Sequence, residues 1–280
     1  AQGNLERGIL SLQPLRIQEK NQLLSFTGNI GGATQSGKLT VNNLSTKLLN
    51  RFVKLPVGID GNINVDAAIA GSLANPQTRG ELTITEAQLN QKPIESANAS
   101  FSYTDGRLRF DSKILASGRE PVEINGDIPY KLPFASVVPN SNIILDMKVK
   151  NEGLGLLNLF TDQVSFENGE GEVNLAIRGT QRKPIVKGIA ALKNATFLVP
   201  NLVGKLTDVS GQADFDFDRV SVNNVQGLFS KGKIEVAGEI PIFTSKNIQI
   251  NNPLSVKLEQ LLLNIKGLYK GTTNGNLVIT

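Results

Sequence analysis

The chain has 280 residues, with 29 Lys plus Arg against 25 Asp plus Glu for a net charge of +4, 27 Gly, 12 Pro, one Met and no His, Cys or Trp. Without His and Cys there is no Ser-His-Asp triad, no thiol nucleophile, no disulfide, and no zinc, haem or iron–sulfur site of imidazole or thiolate; carboxylates, Lys, Tyr and hydroxyls are what remains for catalysis. Asn contributes 28 residues, and Asn and Gly are the residues that enter the left-handed turns of hairpins, so many short strands are expected. No uninterrupted apolar run reaches the roughly 18 to 20 residues that span a bilayer, and Ala1 to Gly8 carry no signal-peptide pattern. The start without Met points to an excised piece. No Lys/Arg cluster exceeds two residues, so nucleic acid is not an expected partner.

In chain order, the first motif is Gly32-Ala-Thr-Gln-Ser-Gly37-Lys38, which satisfies seven positions of a phosphate-binding loop. The eighth is Leu39 in place of Ser or Thr, and Leu39-Thr-Val41-Asn alternates as a strand where the motif requires a helix, so a hairpin turn is the reading. Leu44 to Lys54 then shows near-helical spacing. Beyond it, period-2 alternation takes over: Ile63/Val65/Ala67/Ile69, Leu82/Ile84, Phe101/Tyr103, Leu108/Phe110, Val122/Ile124 and Ile143/Leu145/Met147/Val149. Leu154 to Asp162 is the second helical stretch. Alternation resumes at Val173/Leu175/Ile177, Phe215/Phe217, Val220/Val222, Ile234/Val236, Val256/Leu258 and Leu277/Ile279. Each strand has one apolar and one wet face, the signature of antiparallel strands with one buried face. Breaks such as Asp105-Gly106, Asn125-Gly126 and Asn168-Gly169 give roughly 16 to 20 strands.

The polar candidates have structural readings. Asp214, Asp216 and Asp218 share a strand face opposite Phe215 and Phe217, but a strand spaces such carboxylates about 7 Å apart, and the glycine and distal Glu of a calcium loop are missing. They read as a solvated outer face, and no metal or cofactor is expected. Asn43, Asn98 and Asn194 begin Asn-x-Ser/Thr triplets, the chance yield of an Asn-rich chain. Glu123/Asp127 and Glu235/Glu239 recur around Gly turns, and recurrence favours a structural role over a catalytic pair. No enzyme is expected.

The strongest feature is an internal repeat. A shift of 108 residues places Leu48, Leu49, Asn50, Phe52, Gly61, Val65, Ala68, Ile69, Gly71, Pro76, Gly80 and Ala87 on Leu156, Leu157, Asn158, Phe160, Gly169, Val173, Ala176, Ile177, Gly179, Pro184, Gly188 and Ala195. A shift of 112 lays Glu123-Ile-Asn-Gly-Asp-Ile-Pro129 over Glu235-Val-Ala-Gly-Glu-Ile-Pro241, and Gly275 to Thr280 opens a further copy. The expected units are therefore 1–37 (partial), 38–145, 146–253 and 254–280 (partial), in one continuous array. In Gly-x4-Pro-x3-Gly (Gly71, Pro76, Gly80; Gly179, Pro184, Gly188), Pro is read as ending one strand and Gly as opening the next. With so few helical residues, the apolar faces are buried either in a sandwich core or by one sheet folded on itself; stacking of repeats favours the folded sheet.

Gly71-Ser-Leu-Ala-Asn-Pro-Gln-Thr-Arg-Gly80-Glu-Leu-Thr-Ile, its copy from Gly179 to Gly188 and the Gly-Asp/Glu-Ile-Pro segments resemble the TamB family of bacterial envelope proteins, within the AsmA-like group. The Asn-rich style looks like a cyanobacterial version or a relative of the chloroplast-envelope homologue. The resemblance implies an all-β fold: an elongated, curled, mainly antiparallel sheet, a U-shaped trough or β-taco, built of tandem repeats with short crossing helical segments. It also implies a periplasmic location with the full-length protein anchored in the inner membrane. Phospholipids, an outer-membrane barrel of the Omp85 class and unfolded outer-membrane proteins are the implied partners. The family is similar to bridge-like lipid transfer proteins, so the apolar alternation from Ile63 to Ile279, the pairs Val122/Ile124 and Val256/Leu258 aside, becomes the expected lining of a lipid groove. A groove or free sheet edge that instead chaperones outer-membrane proteins is the alternative.

Overall fold

The computed structural model describes residues 2–6, 9–31, 34–49, 59–116, 118–132, 135–136, 140–160, 162, 164–200, 204–242, 251–265 and 269–279. The fold is all-β, a large open sheet of 18 strands, and the registered strand pairs are antiparallel. The expected fold class is the observed one. In chain order the elements are β1 (Gln2–Glu6), β2 (Ile9–Glu19), β3 (Gln22–Ile30), β4 (Ser36–Ser45), helix α1 (Thr46–Leu49), β5 (Ile59–Gly71), β6 (Pro76–Leu89), β7 (Lys92–Pro93), β8 (Ser96–Thr104), β9 (Arg107–Leu115) and β10 (Val122–Pro129). They continue with β11 (Ile144–Lys150), the 3-10 helix η1 (Asn151–Leu159), β12 (Ser165–Thr180), β13 (Lys183–Leu198), β14 (Lys205–Phe217), β15 (Arg219–Phe229), β16 (Gly232–Pro241), β17 (Leu254–Ile265) and β18 (Tyr269–Ile279).

The chain divides into two compact units, one of Ala1–Leu115, Glu123–Leu145 and Gly179–Gln181, the other of Ala116–Val122, Asp146–Arg178 and Arg182–Thr280. Neighbouring strands pair in sequence within each. In the first unit registers run β1–β2–β3–β4–β5–β6–β8–β9, with β7 a short addition to β6. In the second they run β13–β14–β15–β16–β17–β18. The order strand, short helix, strand, strand recurs as β4-α1-β5-β6 and β11-η1-β12-β13.

Both expected helical stretches hold a helix, differently placed. Leu44 and Ser45 still belong to β4, α1 covers Thr46–Leu49, and residues 50–54 lie outside the described residues. The second stretch falls on η1, which begins three residues earlier than expected. Its Asn158 side chain mimics a neighbouring strand: Nδ2 donates to Phe166 O at 2.8 Å and Oδ1 accepts from Phe166 N at 2.6 Å.

Two expected turns prove to be strand interior. Asp105-Gly106 makes the β8–β9 hairpin, with φ of 50° and 71° as such tight turns require. Asn125-Gly126 lies within β10 and Asn168-Gly169 within β12, so Glu123/Asp127 and Glu235/Glu239 also sit inside strands, not around turns. The Gly-Pro-Gly spacing reads in the opposite sense from the expectation. Gly71, at φ 82°, closes β5; Ser72 N donates to Asn75 O at 3.1 Å; Pro76 is buried and opens β6; and Gly80 lies within β6.

Left-handed residues recur at repeat spacing: Asn43 in β4 with Asn151 at the start of η1, Gly61 with Gly169, and Glu86 with Asn194. Register shifts accompany Asn43 (between Val41 and Leu44), Gly61 (between Asp60 and Asn62) and Asn194 (between Leu192 and Ala195). A bulge adds one residue and bends its strand, which lets strands of 13 to 16 residues keep one apolar face.

Candidate functional site

The candidate site is the apolar face of the sheet, and register builds it from single residues. Opposed residues of an antiparallel pair share a face. In the first unit, Leu15–Phe26–Leu39–Ala67–Gly80–Phe101–Phe110 is one row across seven strands, Ile17–Leu24–Val41–Val65–Leu82–Ala99 a second, Leu44–Ile63–Ile84–Ala97–Ile114 a third, and Gly37–Ile69–Thr78–Tyr103–Leu108 a fourth. The expected residues from Ile63 to Phe110 thus all lie on one face. Two aromatic rings lie over glycines of the next strand: a Cβ on Gly37 would meet the Phe26 ring at 2.5 Å, and one on Gly126 would meet the Phe110 ring at 2.4 Å and Leu145 Cδ2 at 2.9 Å.

In the second unit, Gly188–Phe215–Val220–Ile240, Ala190–Ala213–Val222–Gly238, Val225–Val236–Val256–Leu277 and Gly227–Ile234–Leu258–Gly275 are the corresponding rows. Met147 and Val149 of β11 and Val173, Leu175 and Ile177 of β12 stand at alternate positions of their strands. At one end Phe166, Ala195, Phe197 and Val209 form a closed cluster against Leu154 of η1, with the Phe166 and Phe197 rings edge to face at 5.7 Å.

Burial is graded along this face. Ile63, Ala67, Tyr103 and Val149 are buried. Val65, Ile69, Leu82, Ile84, Phe101, Leu108, Phe110, Ile143, Leu145, Met147, Val173, Leu175, Ile177, Phe215, Val220, Val222, Ile234 and Val236 are half-buried. Phe217, Leu277 and Ile279 are exposed. Phe217 departs from its expected setting: it has a φ of 56°, and Lys187 Nζ sits 4.6 Å from its ring centroid, a cation–π contact. Residues of the face that alternation alone did not single out are Phe26, Ala97, Ala195, Val209 and Phe229, all buried. Ala gives little hydrophobic signal, and the bulges beside Val209 and Ala195 interrupt the two-residue period.

The opposite face is polar. Thr40, Asp66, Glu81, Ser100 and Asp111 form one row across it, Lys38, Ala68, Arg79, Ser102 and Arg109 the next. An open depression of about 450 Å³ lies between these rows, lined by Asp66, Arg79, Ser100 and Arg109 among others. Its charges and hydroxyls suit it to water, not to an acyl chain.

The remaining motifs resolve into supports. Gly32 and Ala33 of the phosphate-loop match lie outside the described residues, while Ser36 to Lys38 open β4. Asp214 accepts from Gln212 and Asn223, Asp216 pairs with Lys187 at 4.0 Å and Asp218 with Arg219 at 3.5 Å. Asp127 holds Arg107 at 2.6 Å and Arg109 at 3.1 Å, and Glu239 holds Arg219 at 3.3 Å, so the recurring carboxylates clasp recurring arginines. On β16 the hydrogen bond from Lys233 keeps the Glu235 carboxyl below its usual range, and the hydrogen bond to Glu259 raises Lys257. Among the described residues no group of three or more acidic side chains is placed to hold a metal ion, and no helix is long and apolar enough to cross a membrane.

In each unit the fold and the face together define a repetitive antiparallel sheet with one apolar surface. Over 139 residues, 49% of this chain, it is 25% identical to Protein SUBSTANDARD STARCH GRAIN 4, chloroplastic, of rice (Oryza sativa subsp. japonica), of which the match covers 6%. Over 146 residues, 52% of this chain, it is 23% identical to Protein TIC236, chloroplastic, of Arabidopsis thaliana, of which the match covers 7%. The chain therefore spans less than a tenth of the curated relatives it matches, both chloroplast proteins by name. No family model and no solved structure matches it.

Proposed function

We propose that this chain is a segment of a TamB-like envelope protein whose apolar sheet face carries the acyl chains of phospholipids between two membranes. The observation that carries the reading is the register itself: one row runs unbroken from β2 to β9, a second from β2 to β8 and two more from β4 to β9, with charged rows on the opposite face. Each tail methylene kept out of water is worth about 0.8 kcal/mol, so a lining that repeats from strand to strand keeps a lipid's free energy nearly level as it moves. Head groups stay in water at the rim. Similarity to two chloroplast proteins supports a chloroplast-related version of the family in an envelope; an anchor in the inner membrane and an Omp85-class barrel as partner complete the proposal. The mechanism is passive and assigns no catalytic step to this segment.

The test is transfer of fluorescent phospholipid between vesicles by the wild-type chain and by Val65→Asp and Ile69→Asp. Both residues are half-buried on the apolar face, so each charge blocks the path while the sheet still folds. Loss of transfer with native circular dichroism is expected. Undiminished transfer overturns the conduit, and binding of unfolded barrel peptides without lipid supports the chaperone reading instead.

A further inference from the structure

The apolar rows of the first unit contain one side chain whose chemistry does not match its surroundings. Tyr103 is 4% exposed, lies in the row Gly37–Ile69–Thr78–Tyr103–Leu108, and its Oη is buried without a hydrogen-bond partner among the described residues. Thr78, the other hydroxyl of that row, is committed to Ala68 O at 2.9 Å. A buried phenol normally finds a partner, because an unpaired hydroxyl has lost water and gained nothing. Packing does not require this hydroxyl. In the β14–β15 hairpin the residue one pair in from the end, placed as Tyr103 is against Leu108, is Phe215 against Val220. The same place in the fold is filled by the same ring without the oxygen.

The end of the face where Tyr103 lies has a second orphan. Asn75 precedes Pro76 in the β5–β6 turn, its Nδ2 donates to Asp105 Oδ1 at 2.9 Å two residues beyond Tyr103, and its own Oδ1 is buried and unpartnered. This end of the sheet thus carries, among the described residues, both an unused donor on the apolar face and an unused acceptor in the adjoining turn.

We infer that Tyr103 is a specificity-determining residue: a diacyl lipid entering this face displaces the side chains that cover the Tyr103 hydroxyl, which then donates to an ester carbonyl at the lipid's polar–apolar junction. The inference rests on the conduit reading and deepens it. An acyl chain alone gives a phenol nothing to bond, whereas an ester-linked lipid brings an acceptor directly beside its tails, and an ether-linked lipid has no carbonyl there. Tyr103 marks where a lipid pauses with its ester region in register; the Phe215 position lets tails pass without discrimination.

The experiment compares wild-type chain with Tyr103→Phe, by native mass spectrometry, in competition between ester-linked dioleoyl phosphatidylcholine and its ether-linked analogue. Wild type is expected to prefer the ester lipid about five- to tenfold, the range of one net hydrogen bond, and Tyr103→Phe to bind both lipids as wild type binds the ether. Thermal unfolding without lipid should be unchanged or raised in Tyr103→Phe, since the substitution removes an unpaired buried hydroxyl. A lowered melting temperature overturns the inference by revealing a structural partner. Equal binding of both lipids by both proteins, or an ester preference that survives in Tyr103→Phe, overturns it while leaving the conduit intact. If wild type binds neither lipid, the conduit reading itself fails.

Discussion

The two units use one element order to different tightness, and the clearest case is a pair of equivalent arginines. Arg107 in the first unit is 13% exposed at its side chain and makes four bonds: Nε to Asp127 Oδ1 at 2.6 Å, Nη2 to Asp127 O and Asn142 O, and Nη1 to Asn140 O. Its equivalent, Arg219, is 35% exposed and reaches Glu239 at 3.3 Å and Asp218 at 3.5 Å. The first clasp ties β9, β10 and the segment after β10 together. The second joins neighbouring strands at the surface. The equivalent glycines invert this ranking. A Cβ on Gly61 would meet Ile84 Cγ2 at 2.8 Å and Thr85 O at 2.9 Å, whereas one on Gly169 would strike Ala195 Cα at 2.4 Å. The second unit is tight where β12 meets the Phe166–Phe197 cluster. The first is tight where Arg107 ties β9 and β10 to the segment after β10. A repeat conserves the backbone solution and leaves each unit to choose where its rigidity lies.

Substitutions at equivalent positions break that comparison most sharply. Gly169→Ala combines a φ of 134° with a backbone collision, and should cost about 3–5 kcal/mol of unfolding free energy; Gly61→Ala, whose neighbour is partly a movable side chain, should cost about half as much. Denaturant midpoints of the two variants decide this, and equal losses contradict the assignment. Next in size, Arg107→Ala should lose about 2–3 kcal/mol, because it leaves Asp127 with Arg109 alone and takes the donor from the carbonyls of Asp127, Asn140 and Asn142, against about 1 kcal/mol or less for Arg219→Ala. Arg107→Lys should not restore the loss, since an ammonium cannot serve the fork of acceptors.

The smallest effect is a pH dependence confined to the second unit. The lowered carboxyl of Glu235 contributes stability above the ordinary carboxylate range, and this is lost as pH falls through its depressed value. The raised Lys257 contributes below the ordinary lysine range and loses that contribution as pH rises through its elevated value. Glu235 is half-buried and Lys257 exposed, both in reach of water, so Glu235→Gln should flatten the acid limb of the melting profile by about 1 °C or less, and high salt should remove the difference.

Much of the fold was legible in the sequence because a half-buried strand writes its face as a period of two. Val65 with Val173 and Ile69 with Ile177 fall on β5 and β12, and Leu156 and Leu157 on η1. The illegible part has one physical origin. Asn-Gly is locally a hairpin signal, yet in β10 and β12 the strand continues through it, and in β12 Gly169 keeps a φ of 134° with its backbone close against Ala195. A local motif cannot report that long-range contact. Phe217 shows the same limit: alternation puts it beside Phe215, but its left-handed backbone and Lys187 give it a different setting.

The central claim is that one face of this sheet, and not the other, meets acyl chains. Val65 and Asp66 are chain neighbours on opposite faces, as are Val222 and Ser221. A photo-crosslinking amino acid placed singly at each of the four positions, in protein incubated with vesicles of phosphatidylcholine, reports which face the lipid touches. Lipid adducts at positions 65 and 222, with background labelling at 66 and 221, are the expected result. Labelling of equal strength on both faces, or stronger at 66 and 221, would contradict the account.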